Sequence, residues 1–282
     1  MARYPAVANR VAERYGADQF DDCLEQYGAA DDRAIAQARA GAILAAQPAI
    51  ARDVIINFLS EGGEAIKLIA NADQQRQAVG ELAVSMGQAL LTDMTELARK
   101  GQWAKAKAAY ARFAATTAQT PNVVAAAQLQ GLEFKARYVM GQSDESEAAL
   151  DAGLSWVAKG GSLPEQARAL RGLAATSDGA SNPKIQEAYK RLQAQAQNAQ
   201  GADRARALSE LALMQADSGN REQFVRQRDM AKETPGFGGT EAATLTAEMY
   251  VRGDLAVARA RHAEGAYGDA ESLLQQLAGY LL

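Results

Sequence analysis

Five glycines set the rhythm of this chain. Gly101, Gly141, Gly179, Gly219 and Gly265 close the runs ARKG, YVMG, TSDG, ADSG and HAEG, at spacings of 40, 38, 40 and 46 residues. Glycine tolerates positive φ and so ends helices. A near-constant period of this size marks a repeat. An Ala- and Leu-rich segment precedes each glycine, and a second follows it, running into turns such as QTP, KGGSLP, QAQNAQG and ETPGFGG. Each unit reads as helix, tight turn, helix.

The residue content agrees. Apolar residues make up 48% of the 282 but aromatics only 6%, so alanine, the strongest helix former, carries much of the apolar count. Runs of β-branched and aromatic residues are nearly absent, VIIN at 54–57 being the densest. An all-α protein is expected. Apolar positions recur at helical steps in Val124, Ala127, Gly131, Phe134 and Tyr138, and again in Leu208, Leu211, Ala212 and Gln215, of which only the last is polar. One face of each helix is thus built for burial. Small residues at Gly131, Ala174 and Ala212 leave room for a neighbouring helix, and Asn182 before Pro183 is a helix start.

Two of the turns repeat one another. Gly101, Trp103, Ala106 and Tyr110 match Gly265, Tyr267, Ala270 and Leu274 in order and spacing. This pattern resembles the turn and second helix of a tetratricopeptide repeat, over about residues 83–282. The sequence departs from the family where Phe113 and Leu277 replace a small residue, where Ala118 replaces the closing proline and Pro121 follows three later, and in a period nearer forty than thirty-four. The resemblance implies an α-solenoid of stacked antiparallel helical hairpins. Five repeats fall at about 83–121, 122–161, 163–199, 203–235 and 240–282, within a repeat region of 73–282. Residues 1–72 are less regular and read as an N-terminal helical cap, with Pro48 in a first helical turn and Arg33, Arg39 and Arg52 on a polar outer face. The aromatic at Trp103 is expected to be buried, as is Trp156.

Little in the chain suggests chemistry. With His262 the only histidine, an HExxH motif, paired Glu-x-x-His ligands and a zinc finger are impossible. No metal or cofactor is expected. His262 itself lies near Arg259 and Arg261, and cationic neighbours do not mimic the orienting carboxylate of a triad; it reads as an exposed helix-end residue. Cys23 sits among Asp21, Asp22 and Glu25, which oppose thiolate formation. Ser181 and Lys184 make an S-x-x-K spacing interrupted by Asn182 and Pro183, without the companion elements of acyl enzymes. The glycine pairs at 62–63, 160–161 and in PGFGG lack the lysine and strand of a phosphate loop and read as turns. Adjacent acids, Asp21/Asp22, Asp31/Asp32 and Asp144/Glu145, diverge around a helix or sit at caps.

Charge sets the partner class. The formal net charge of −4 disfavours nucleic acid and anionic lipid, and no stretch is long and apolar enough to span a bilayer. Residues 17–32 are acidic, while 184–232 hold a basic excess. A single cysteine and no recognisable leader in MARYPAVANRVAERYG fit the cytoplasm, or the periplasm if a leader has been removed. The expected function is a non-catalytic scaffold that binds a protein or peptide, acidic in the sharper reading, in the groove of a helical stack. The resemblance places Gln88, Thr95, Arg99, Arg206 and Ser209 in that groove, the arginines pairing acidic groups and the short side chains holding ligand backbone. Two alternatives stand beside it. One is a structural subunit that self-assembles into an oligomer or filament through the C-terminal stripe of Leu273, Leu274, Leu277, Tyr280 and Leu281. The other is an enzyme using only carboxylates or lysine, which requires a closed pocket of inward-facing carboxylates.

Overall fold

The computed structural model describes residues 71–117, 122–235 and 237–281. The expected cap up to residue 70, with Cys23, Arg33, Arg39, Pro48 and Arg52, lies outside them, as do the acidic pairs at 21–22 and 31–32, VIIN, the glycines at 62–63, Ala118 and Pro121. So do the side chains of Phe113, Tyr280 and Leu281. Every regular element among the described residues is an α-helix: α1 (Ala72–Arg99), α2 (Trp103–Thr117), α3 (Val123–Val139), α4 (Ser143–Ala158), α5 (Leu163–Ser177), α6 (Pro183–Asn198), α7 (Gly201–Asp217), α8 (Arg221–Lys232), α9 (Gly239–Ala263) and α10 (Tyr267–Leu281). The longest, α1 and α9, have 28 and 25 residues.

The glycine turns form as the sequence requires, with one exception. Gly101, Gly141, Gly219 and Gly265 all take φ between 71° and 81°. After α1, Gly101 donates its N–H to the Ala98 carbonyl and Gln102 to that of Leu97, which closes carbonyls the helix end leaves open. After α5 the left-handed residue is Asp178, at φ 51°, and not Gly179. Asp tolerates that region because its short polar side chain bonds locally. Several starts are side-chain capped, those of α7 and α9 excepted. Asn122, Ser162, Asn182 and Asn220 each accept a backbone N–H of the helix that follows, and Pro183 occupies the first turn of α6.

The chain divides into two compact units, Met1–Gly153 and Leu154–Leu282, with the division inside α4. In the first, α1 packs on α2 and on α3. Its core joins Leu90, Leu91 and Met94 of α1, Ala106 and Ala109 of α2, and Leu129, Leu132 and Ala136 of α3. Of the stripe expected on α3, Ala127 and Gly131 are buried and Val124 and Phe134 are half-buried. Tyr138 is instead 70% exposed, and the deepest stripe runs through Ala125, Leu129, Leu132 and Ala136. Alanines lie on several faces of α3, so its apolar pattern does not single out one buried face.

In the second unit α7 is the centre, packing against α5, α6, α8 and α9. Its buried residues include Leu208, Leu211, Ala212 and Gln215, the stripe expected from sequence, but also Ser209 and Leu213 on other faces. A helix apolar on most sides is an interior helix. A second core joins Ala212 and Ala216 of α7 to Phe224 of α8, Val257 and Ala258 of α9, and Leu273 of α10. The paired turns also agree in burial: Ala106 and Ala270 are buried while Trp103 and Tyr267 are 49% and 63% exposed. Trp103 therefore does not serve as the expected core aromatic. It opens α2, one turn before the buried face begins at Ala106, so its ring extends past the packed part of the hairpin. Trp156 is half-buried, with the Lys159 ammonium 4.3 Å over its ring.

Candidate binding cleft

Within the second unit α7 packs on α5 and on α9, each of the three being the first helix of one of the repeats expected from sequence. A cleft of about 350 Å³ opens along these three helices, at the size of a small ligand site. Helical spacing explains how α9 contributes. Glu241, Leu245, Met249 and Arg252 follow one another at steps of four, four and three, so they form one stripe along the helix, and all four line the cleft. From α7 come Arg206, Ser209, Glu210 and Leu213, again at helical steps. Arg168 of α5 and Phe237, which precedes α9, complete the wall.

Charges in the cleft are mostly paired, and unequally so. Glu210, whose side chain is only 12% exposed, accepts from Arg168 Nε at 2.8 Å and from Arg171 at 3.3 Å. Arg171 also reaches Asp217 at 2.7 Å. Burial lowers the affinity of Arg171 for its proton, yet the attraction and hydrogen bonds of Asp217 and Glu210 outweigh it and leave the pKa raised. Arg171 with Glu210 and Asp217 is a partly buried brace between α5 and α7, with Arg168 on its exposed side. By contrast Arg206 and Glu241 form an ion pair with both side chains about half exposed, a class worth roughly 0–1 kcal/mol. Arg252 is exposed and has no ion pair among the described residues. Among the described residues the cleft therefore offers two exposed guanidiniums held in ion pairs, Arg168 and Arg206, one without an ion pair, Arg252, and an apolar floor of Leu213, Leu245 and Met249.

Two of the five groove residues expected from sequence, Arg206 and Ser209, meet here. Ser209 is buried, and its hydroxyl donates to the Arg206 carbonyl at 3.1 Å, so it is spent on its own helix. Gln88, Thr95 and Arg99 belong to α1 in the other unit: Thr95 is half-buried with its hydroxyl donated to the Leu91 carbonyl at 2.8 Å, Gln88 is half-buried and Arg99 is exposed. Reasoning from sequence missed Arg168, Glu241, Met249 and Arg252. The signal was present in the four-four-three stripe of α9, but nothing in it marks a cleft wall until α7 is alongside.

A second polar group ties α2 to α3 in the first unit. The Tyr110 hydroxyl donates to Glu133 Oε1, which also accepts from Arg137 Nε at 2.7 Å, while the Arg137 guanidinium lies 4.8 Å over the Tyr110 ring. Burial, then the bond to Glu133, pushes the Tyr110 pKa well above its ordinary value. A phenol held protonated and donating to a carboxylate is a structural clasp. His262 is exposed in the last turn of α9, edge-on to Tyr267 at 5.0 Å. Asp144 and Glu145 sit in the first turn of α4, where carboxylates complement the helix dipole. Among the described residues no cluster of His, Cys, Asp or Glu is arranged to hold a metal ion, and no helix is long and apolar enough to cross a membrane.

No family model, curated protein or solved structure matches this chain.

Proposed function

We propose that the chain is a non-catalytic binding protein, a tetratricopeptide-like α-solenoid that takes a peptide segment of an acidic protein partner in the cleft along α5, α7 and α9. The serial packing of these three first helices carries the reading, because helical hairpins that stack in chain order build a groove from their first helices. The recurrence of left-handed glycines at four of the five turns supports it. The lining chemistry favours a protein ligand over a reaction: its two carboxylates, Glu210 and Glu241, are both bound to arginines, so neither is free to act as a base.

A photo-crosslinking side chain at Thr244, on the cleft wall, tests this against the same group at Gln195, exposed on α6. Partner capture at position 244 alone, lost when Leu245→Glu is added, is the expected result. Equal capture at both positions removes the cleft as the binding surface. Self-assembly through α10 is the second reading, favoured by Leu274, which is 47% exposed although Leu273 and Leu277 beside it are buried. A monomer by light scattering at tens of micromolar, unchanged by Leu274→Glu, removes it.

A further inference from the structure

We infer that the cleft recognises an extended acidic segment of the form Glu-x-Leu-x-Glu, in which two carboxylates and the apolar residue between them share one edge. This deepens the peptide-binding reading above and rests on it. The cleft carries its charges at its ends and its apolar surface in the middle, since along α9 the order is Glu241, Leu245, Met249, Arg252. Arg206 marks one end through its pair with Glu241, and Arg252 marks the other. Eleven residues separate Glu241 from Arg252, which is about 16 Å of helix. In an extended peptide, residues i, i+2 and i+4 point the same way and i to i+4 spans about 13 Å. The flexible arginine side chains close the remaining few ångströms. The residue at i+2 then stands over Leu213, Leu245 and Met249.

A helical ligand fits less well. In a helix, residues four apart rise only about 6 Å, so two carboxylates at that spacing do not reach both ends of the cleft. The carboxylate at the Arg206 end must exchange with Glu241, so Glu241 acts as an internal competitor. Exchange there is cheap because that pair is half exposed. Glu210 does not leave its partners in the same way, since its side chain is only 12% exposed and it is held by Arg168 and Arg171 together.

Fluorescence anisotropy of a labelled Gly-Glu-Ala-Leu-Ala-Glu-Gly amide tests the inference, beside a peptide of the same composition with adjacent glutamates and one with both glutamates changed to glutamine. The full-length protein is used in low salt, where exposed ion pairs are least screened. The spaced peptide is expected to bind about tenfold tighter than either control. Arg252→Gln should weaken it about three- to tenfold, and Glu241→Gln should strengthen it, with unchanged circular dichroism in both variants. Equal affinity for spaced and adjacent glutamates, or no effect of Arg252→Gln, overturns the recognition pattern. If Leu245→Glu still abolishes binding in that case, the cleft itself stands as the peptide site. Failure of all three peptides to bind overturns the pattern, and the peptide-binding reading falls with it only if crosslinking at position 244 captures no more than at position 195.

Discussion

Gly253 of α9 lies directly against the ring of Phe224 of α8: a methyl group added at Gly253 would overlap three atoms of that ring. Phe224 is fully buried, so the ring has nowhere to retreat. The small residue is what allows α8 and α9 to meet at this point.

Gly253→Ala is therefore expected to destabilise the protein by about 1–3 kcal/mol, the range for overpacking a close-packed core. Urea unfolding measures it, and adding Phe224→Leu should recover part of the loss. Gly265→Ala is the contrast. Nothing stands within 4 Å of that position, but its φ of 81° is left-handed, so its cost is backbone strain of roughly 1–2 kcal/mol, and no change in a neighbouring side chain should relieve it.

Asp254, next along α9, is buried and its pKa is raised, burial outweighing the attraction of Arg228 and Arg221. A carboxyl that holds its proton more tightly folded than unfolded contributes stability below the unfolded value of about 3.9, and that contribution is lost as pH rises through the folded value. Asp254→Asn should accordingly gain stability relative to the parent as pH rises through this window. A stability difference that is flat with pH would show that Asp254 does not titrate differently in the folded protein.

Gln227 of α8 is wholly buried, and neither its Nε2 nor its Oε1 has a hydrogen-bond partner among the described residues. The Tyr189 hydroxyl faces it and Gln215, whose polarity offsets part of the rise that burial imposes on the Tyr189 pKa, yet that hydroxyl also lacks a partner in hydrogen-bonding geometry. An unsatisfied buried polar group costs about 1–3 kcal/mol. Gln227→Met, similar in shape and apolar, should raise the urea midpoint. A fall of more than about 1 kcal/mol would mean that the amide is satisfied in solution.

The ion pairs of Arg171, behind the cleft wall, and of Arg206, on it, should respond unequally to removal. Arg171→Gln strips Glu210 and Asp217 of a shared cation in a partly buried setting, and a cost of about 2–4 kcal/mol is expected, toward the range for broken buried pairs. Arg206→Gln breaks an exposed pair and should cost less than about 1 kcal/mol. Chemical unfolding of both variants at low and high salt checks this, with salt expected to erase the smaller effect first.

Local chemistry fixed the helices and their turns. Positive φ at Gly101, Gly141, Gly219 and Gly265, the Asn182 cap and the buried stripe of Leu208, Leu211 and Ala212 all depend on residues within a few positions of one another, so the sequence alone determines them. The exception at Asp178 is of the same kind, two adjacent residues each able to adopt the left-handed turn. Tertiary structure alone decided which of several small-residue faces is buried, as the exposure of Trp103 and Tyr138 shows, because alanine gives little directional preference and burial depends on the helix that arrives opposite. The cleft belongs wholly to that second level. Arg206 meets Glu241, 35 residues away, only once α7 lies on α9, and no periodicity within either helix specifies that encounter.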